Sequence, residues 1–178
     1  TPMDKHGYFC LGVGADTTLA IAHNAARRRR ECDDRYLVIA QVNSKMPRSR
    51  GVNYIHISEI DAIVEADQEL AVLPEPGPLS PEEETIGRYC AEFVKDGSTI
   101  QLGIGNIPNA VAKAFLDAGV KDLGVHSEMA CDTMVELWEA GIITNRRKNF
   151  MPYRCIFTFA MGTKKLYEWI DDNPGVEF

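Results

Sequence analysis

Two features of this sequence are suited to chemistry, and both lie between residues 98 and 141. The first is a glycine turn, Gly103, Ile104, Gly105 and Asn106, between an apolar strand (Thr99, Ile100, Gln101, Leu102) and a helix with Pro108 in its first turn. Backbone amides in such a turn point outward at the positive end of the helix dipole, where they suit a phosphate, a carboxylate or a carbonyl oxygen. The second is Glu128. With Ser127 and Met129 it forms the crossover between a strand (Leu123, Gly124, Val125, His126) and a helix predicted over 132–140 and closed by Gly141. Segments beyond strand C-termini in a parallel sheet line the ligand crevice, so Glu128 and the glycine turn are expected on one edge. Each has a plainer reading as well, since GxG also opens ordinary turns and most loop glutamates are simply solvated.

The neighbours narrow the chemistry. His126 ends the strand beside Glu128 and either touches the site or packs there. Cys131, three residues from Glu128, has no histidine spaced to activate it and reads as a small residue at a helix start. His6, His23, His56 and His126 make no metal-ligand spacing with acids or cysteines, so no metal is expected. Cys10, Cys32, Cys90, Cys131 and Cys155 are odd in number, irregularly spaced and without a CxxC pair, which suits a reducing cytoplasm. Cys90 falls on the apolar face of a predicted helix.

These residues need a scaffold, and the pattern supplies βα units. Residues 8–13 read as a strand that runs through Gly14 and Asp16 into an alanine-rich helix over 17–30. Its basic end, Arg27, Arg28, Arg29 and Arg30, is answered by Glu31, Asp33 and Asp34 and reads as a solvated helix end. Tyr36, Leu37, Val38, Ile39 and Ala40 then form a continuous apolar strand of the buried, parallel kind. The loop over 42–51 carries Asn43, Lys45, Pro47, Arg48 and Arg50, and is suited to phosphates, to another domain, or to solvent as a plain connector. Short apolar pieces come next, at 52–57 and 60–64. Leu73, Pro74, Glu75, Pro76, Gly77 and Pro78 cannot hold regular structure, and a domain boundary is placed there. Ser80, Pro81, Glu82 and Glu83 form a capping box that opens a helix to about residue 95. Beyond the central stretch come a polar loop (Arg146, Arg147, Lys148, Asn149), a strand over 155–159 and a helix over 163–171 that buries Leu166, Trp169 and Ile170. Residues 176–178 begin a strand without a partner.

With 178 residues, 45% of them hydrophobic, the chain has enough apolar material for a sizeable core. A net charge of -7 argues against nucleic acid as the main partner, and no apolar run approaches the roughly 18 residues of a membrane span.

The run GIGNIPNAV, then LGVHSEM, an Asp and the ELWEAGIITN helix, then TFAMGTKKLYEWIDDNPGVEF, resembles the acetyl-CoA hydrolase/transferase family, especially its 4-hydroxybutyrate and butyrate CoA-transferases. Upstream, VNSKMPRSRG and IHISEIDAIVEAD take part, so the resemblance covers essentially the whole chain. It implies an α/β fold in which parallel-sheet βα units come from two similar CoA-transferase-like domains, both incomplete here. Residues 1–73 would close the first domain, 74–79 link it, and 80–178 open the second, which carries the nucleophile. It also implies that Glu128 is the catalytic nucleophile. Gly103, Ile104, Gly105, Asn106, Ile107 and Pro108 would contact coenzyme A, a substrate rather than a permanently bound cofactor. The expected partners are an acyl-CoA such as acetyl-CoA, a short-chain carboxylate, and further copies or segments of the same protein. Where relatives tend to read Ser-Asp-Gly after this segment, the chain has Cys131, Asp132 and Thr133, and the family's later glycine-rich segment is not in it.

Other readings compete. An acyl-CoA hydrolase of the same family uses the same nucleophile with water as acceptor. A nucleotide-binding Rossmann unit also runs strand, GxG turn, helix, strand and acid. Its fingerprint wants glycine at the sixth position, where this chain has Pro108. The third is an inactive CoA-binding or structural fragment.

Overall fold

The structure is a computed structural model that describes residues 1–31, 35–74 and 76–178. Its second half is built on two helices in backbone contact. Ser80 caps α2 (Pro81–Ala91): its hydroxyl accepts the Glu83 amide at 3.2 Å while the Glu83 carboxylate accepts the Ser80 amide at 2.7 Å, the capping box read from the sequence. Gly87 lets α2 lie against α3 (Asn106–Ala118), since a β-carbon at 87 would sit 2.5 Å from the Ala110 carbonyl oxygen. Val111, Ala112, Ala114 and Phe115 enter the continuous core, and Gly119 ends α3 in the left-handed conformation.

That core covers a ribbon of short parallel strands. β5 (Thr99–Ile100) pairs with β6 (Gly124–Val125), and β8 (Cys155–Ile156) pairs with β10 (Val176–Glu177). A parallel bridge from His126 to Ile156 joins the two pairs. Further along, β7 (Met129–Ala130) pairs in parallel with β9 (Phe159–Ala160). Helices α4 (Asp132–Glu139) and α5 (Lys164–Ile170) complete the layer, burying Met134, Val135 and Leu137 from one and Leu166 and Ile170 from the other. The chain is therefore α/β, with short parallel sheets.

The first half is looser. β1 (Tyr8–Cys10) runs antiparallel to β3 (Tyr54–His56), α1 (Thr18–Arg30) buries only Ala26, and β2 (Ile39–Val42) pairs in parallel with β4 (Ala62–Glu65). The basic end of α1 is answered by Glu31, at 3.0 Å from Arg27, and by an Arg29–Asp61 ion pair; Cys32, Asp33, Asp34 and Glu75 lie outside the described residues.

Four expectations are corrected. The apolar strand near residue 37 is parallel but not buried: Leu37 and Ile39 are 65% and 61% exposed, because its sheet has two strands among the described residues and both faces meet solvent. Residues 176–178 have a partner, since β10 lies between β8 and a bridge from Glu177 to Arg50. Met129, read as crossover, is in strand β7. Cys90 is exposed, because α2 gives Gly87 and Ala91 to α3 and turns Cys90 outward.

The loop over 42–51 meets the second half of the chain. Arg48 donates its amide to Asp171 and accepts from the Asp172 amide, both at 2.8 Å; Arg50 pairs with Asp172, and its carbonyl accepts the Phe178 amide at 2.9 Å. A second seam binds residues 13–16 to 158–160 through the Ala15 and Asp16 amides on the Thr158 carbonyl (3.0 and 3.2 Å) and the Ala160 amide on the Val13 carbonyl (2.9 Å).

Candidate functional site

β6 lies beside β5 because the Gly124 and His126 amides donate to Ser98 (2.9 Å) and Ile100 (3.2 Å). The strands are parallel, so the segments leaving their C-terminal ends meet at one edge. After β5 comes the glycine turn; after β6 come Ser127 and Glu128. The Ser127 hydroxyl donates to the Leu102 carbonyl at 3.4 Å and its amide to Ile156 at 2.9 Å, which ties the approach to Glu128 to both neighbours. Three donors converge on the Glu128 carbonyl: the Thr158 amide (2.9 Å), the Thr158 hydroxyl (2.7 Å) and the Phe159 amide (3.2 Å). Its backbone is thus pinned while the residue itself is exposed. His126, two residues earlier in the same extended run, shares that face; it is exposed too, with its ring 6.1 Å from that of Phe150.

The turn is built by conformation rather than by crowding. Gly105 caps α3 at φ 108°, a backbone that side-chain-bearing residues rarely adopt, although a β-carbon there would touch nothing within 4 Å. The Asn109 amide closes the first helical bond, on Gly105, at 3.2 Å. Pro108 has no amide to offer, which leaves Asn106 and Ile107 as first-turn donors without a helical acceptor.

A cleft of about 710 Å³ opens between the starts of α3 and α4. Gly105, Asn106, Cys131, Asp132, Thr163 and Lys165 line it, together with Ile104 and part of the segment over 73–77. Of the residues singled out in the sequence, Ile104, Gly105 and Asn106 reach this cleft, whereas Gly103, Ile107, Pro108 and Glu128 do not. Glu128 and the turn therefore share a sheet edge but not one enclosed cavity.

Cys131 is buried at the start of α4, 3.2 Å from the Thr133 hydroxyl, and burial pushes its thiol pKa up, opposite to what a thiolate nucleophile needs. Asp132 fastens α4 to α5 by accepting the Thr163 amide (2.9 Å) and hydroxyl (2.6 Å). Its place after the HSEM run was visible in the sequence, but its partner 31 residues away was not. Two more residues escaped sequence reasoning. Lys148, in a stretch that reads as polar loop, and Asn145, just before that stretch, are buried against β6. Among the described residues no group of three or more His, Cys, Asp or Glu side chains is placed to hold a metal ion.

The chain as a whole is similar to known proteins. Residues 1–74 match the model of the acetyl-CoA hydrolase/transferase N-terminal domain. The chain is 47% identical to the 4-hydroxybutyrate coenzyme A transferase of Clostridium kluyveri over 174 residues, which is 98% of this chain and 38% of that protein. It is 44% identical to the succinyl-CoA:cyclohexane-1-carboxylate CoA transferase of Geobacter metallireducens, covering 99% of this chain and 38% of that one. Acetyl-CoA hydrolases are among the more distant matches. The crystal structure of 4-hydroxybutyrate CoA-transferase from Porphyromonas gingivalis superposes with a TM-score of 0.85 at 38% identity, over 99% of this chain and 42% of that structure. The chain thus spans about 38% of the length of these curated relatives.

Proposed function

Since the chain belongs to the acetyl-CoA hydrolase/transferase family, we propose that the protein moves coenzyme A between an acyl-CoA and a short-chain carboxylate, with Glu128 as the attacking carboxylate. The observation that carries this reading is the shared edge: Glu128 is exposed with its backbone held by three donors, and it comes directly after the strand next to the glycine turn. A Glu128 carboxylate oxygen attacks the thioester carbonyl, the C–S bond breaks, and CoA thiolate leaves an acyl-glutamyl anhydride. The thiolate then attacks the Glu128 carbonyl carbon and expels the first carboxylate, leaving a glutamyl-CoA thioester. The incoming carboxylate reverses both steps, so no net proton or water is consumed. Amides of the turn are suited to the oxyanion or to CoA itself, and losing one preorganised donor can cost about 3 kcal/mol.

Hydrolysis is the second reading. It differs only in letting water take the acyl or glutamyl carbonyl, and the distant acetyl-CoA hydrolases support keeping it. We also propose the reducing cytoplasm as its location, a reading supported by the free Cys10, Cys90, Cys131 and Cys155 among the described residues. We further propose that it works as an oligomer, and that residues 1–73 and 80–178 belong to two α/β domains joined by 74–79.

The test is chemical. Full-length protein is incubated with acyl-CoA and then with borohydride, which reduces a glutamyl thioester, and the Glu128 peptide is weighed. An unmodified peptide from an enzyme that turns over refutes the nucleophile. Glu128→Asp withdraws the carboxylate by one methylene and should lose on the order of 100-fold in kcat, as a misplacement of about 1 Å does.

A further inference from the structure

The strand that leads to Glu128 has a gap beside it, and two side chains fill the gap. Successive residues of a parallel strand address opposite neighbours. Gly124 and His126 donate toward β5, while Leu123 and Ser127 donate the other way, to Ile142 and Ile156, both at 2.9 Å. Val125 addresses that second side at the one place where the neighbouring chain is missing. That chain runs beside β6 as far as the Leu123–Ile143 bridge, departs after Asn145, and returns at β8.

Over this interval Asn145 accepts the Val125 amide at 2.8 Å, and the Lys148 amine donates to the Val125 carbonyl at 2.8 Å. The same amine donates to the Arg154 carbonyl at 2.7 Å, closing the base of the excursion over 146–154. Lys148 is 8% exposed, and burial is the main cause of its lowered pKa. Its stem lies across Gly124, where a β-carbon would come within 2.4 Å of the lysine Cγ. Asn145, Met151 and Tyr153 all take left-handed backbone angles, with φ of 55°, 47° and 66°, a cost that the surrounding bonds sustain.

We propose that Lys148 is a positioning residue for Glu128: it substitutes for a missing stretch of strand at Val125 and so holds the extended run that presents the carboxylate. This rests on Glu128 being the attacking group. Without the amine, the Val125 and Arg154 carbonyls lose this donor, and on that side of Val125 only the Asn145 side chain still holds the strand.

In the full-length enzyme, Lys148→Met keeps much of the stem and removes the donors. The expected result is a kcat lower by about 10- to 100-fold, with KM for acyl-CoA within about threefold, since placement and not binding is disturbed. Gly124→Ala pushes the stem from the other side without altering its chemistry and should lower kcat in the same direction by a smaller factor. Wild-type kcat per folded molecule in both variants, with only thermal stability reduced, overturns the proposal. If Lys148→Met does not fold, Gly124→Ala decides by the same criterion, and failure of both to fold assigns the pair to stability alone and equally overturns it. A wild-type enzyme that turns over with no Glu128 adduct overturns the nucleophile and this inference with it, whereas an adduct with unaffected variants overturns this inference only.

Discussion

Two short apolar strands, near residue 38 and near residue 124, are written in similar letters and meet opposite fates. Leu123 and Val125 are fully buried, whereas Leu37 and Ile39 are more than half exposed. The difference lies in what surrounds them. β6 has β5 on one side, bridges at the flanking Leu123 and His126 on the other, and α3 and α4 in the same core, while β2 pairs with β4 alone among the described residues. Among the described residues, the buried members of the continuous core lie between Ala91 and Val176, and the earlier half adds Val13 at its margin. An apolar run thus reports that a strand forms, and the layers around it determine whether that strand is buried.

The largest effect that tests this contrast is a cavity. Phe115→Ala empties a 2% exposed site in α3 and should cost about 3–5 kcal/mol by denaturant titration, against less than about 1 kcal/mol for Ile63→Ala, whose side chain is 44% exposed. Equal losses would erase the distinction between the halves. Next in size is an alkaline effect. Burial lifts the Cys155 thiol from 9.0 to about 12, so its contribution is fully present below pH 9 and is lost as pH rises from there through about 12, because the unfolded chain ionises first. The slope is about 1.4 kcal/mol per pH unit for one such group, and Cys155→Ala should flatten it in pH-dependent unfolding. The same burial predicts that iodoacetamide at pH 8 labels Cys90 in the folded protein and reaches Cys131 and Cys155 only after unfolding, which peptide mass spectrometry reads directly. The smallest effect is local to one helix end: Ser80→Ala removes half of the capping box and should cost about 1 kcal/mol.

The same physics divides the features legible in the sequence from those that were not. Ser80 and Glu83 are three residues apart, and the left-handed Gly119 and the turn at Gly105 each answer to a single glycine, so local rules found all of them. The common edge of Glu128 and the turn came from strand order alone. Partners distant along the chain could not be read so. Glu177 meets Ile156 and Arg50, Asp132 meets Thr163, and Lys148 meets Val125 and Arg154 only once the chain has folded. Lys148 sits in a run of basic residues where a solvated side chain is the ordinary outcome, and nothing in the residue type marks it as the one turned inward. The cleft, too, depends on how α3 and α4 converge, which is why it takes in Asn106 and Thr163 and leaves out Glu128.

At Gly87 the backbones of α2 and α3 touch with no side chain to cushion them. Such a joint transmits force without slack. The Glu83 carboxylate is held below its usual range by the Ser80 amide first, with the Asn106 side chain at the start of α3 adding to the effect. The close contact at Gly87 ties the placement of α2, which follows the proline-rich segment, to that of α3, whose first amides follow Gly105. A methyl group added at position 87 would have to push the two helices apart, and with α3 it would shift the amides that follow Gly105.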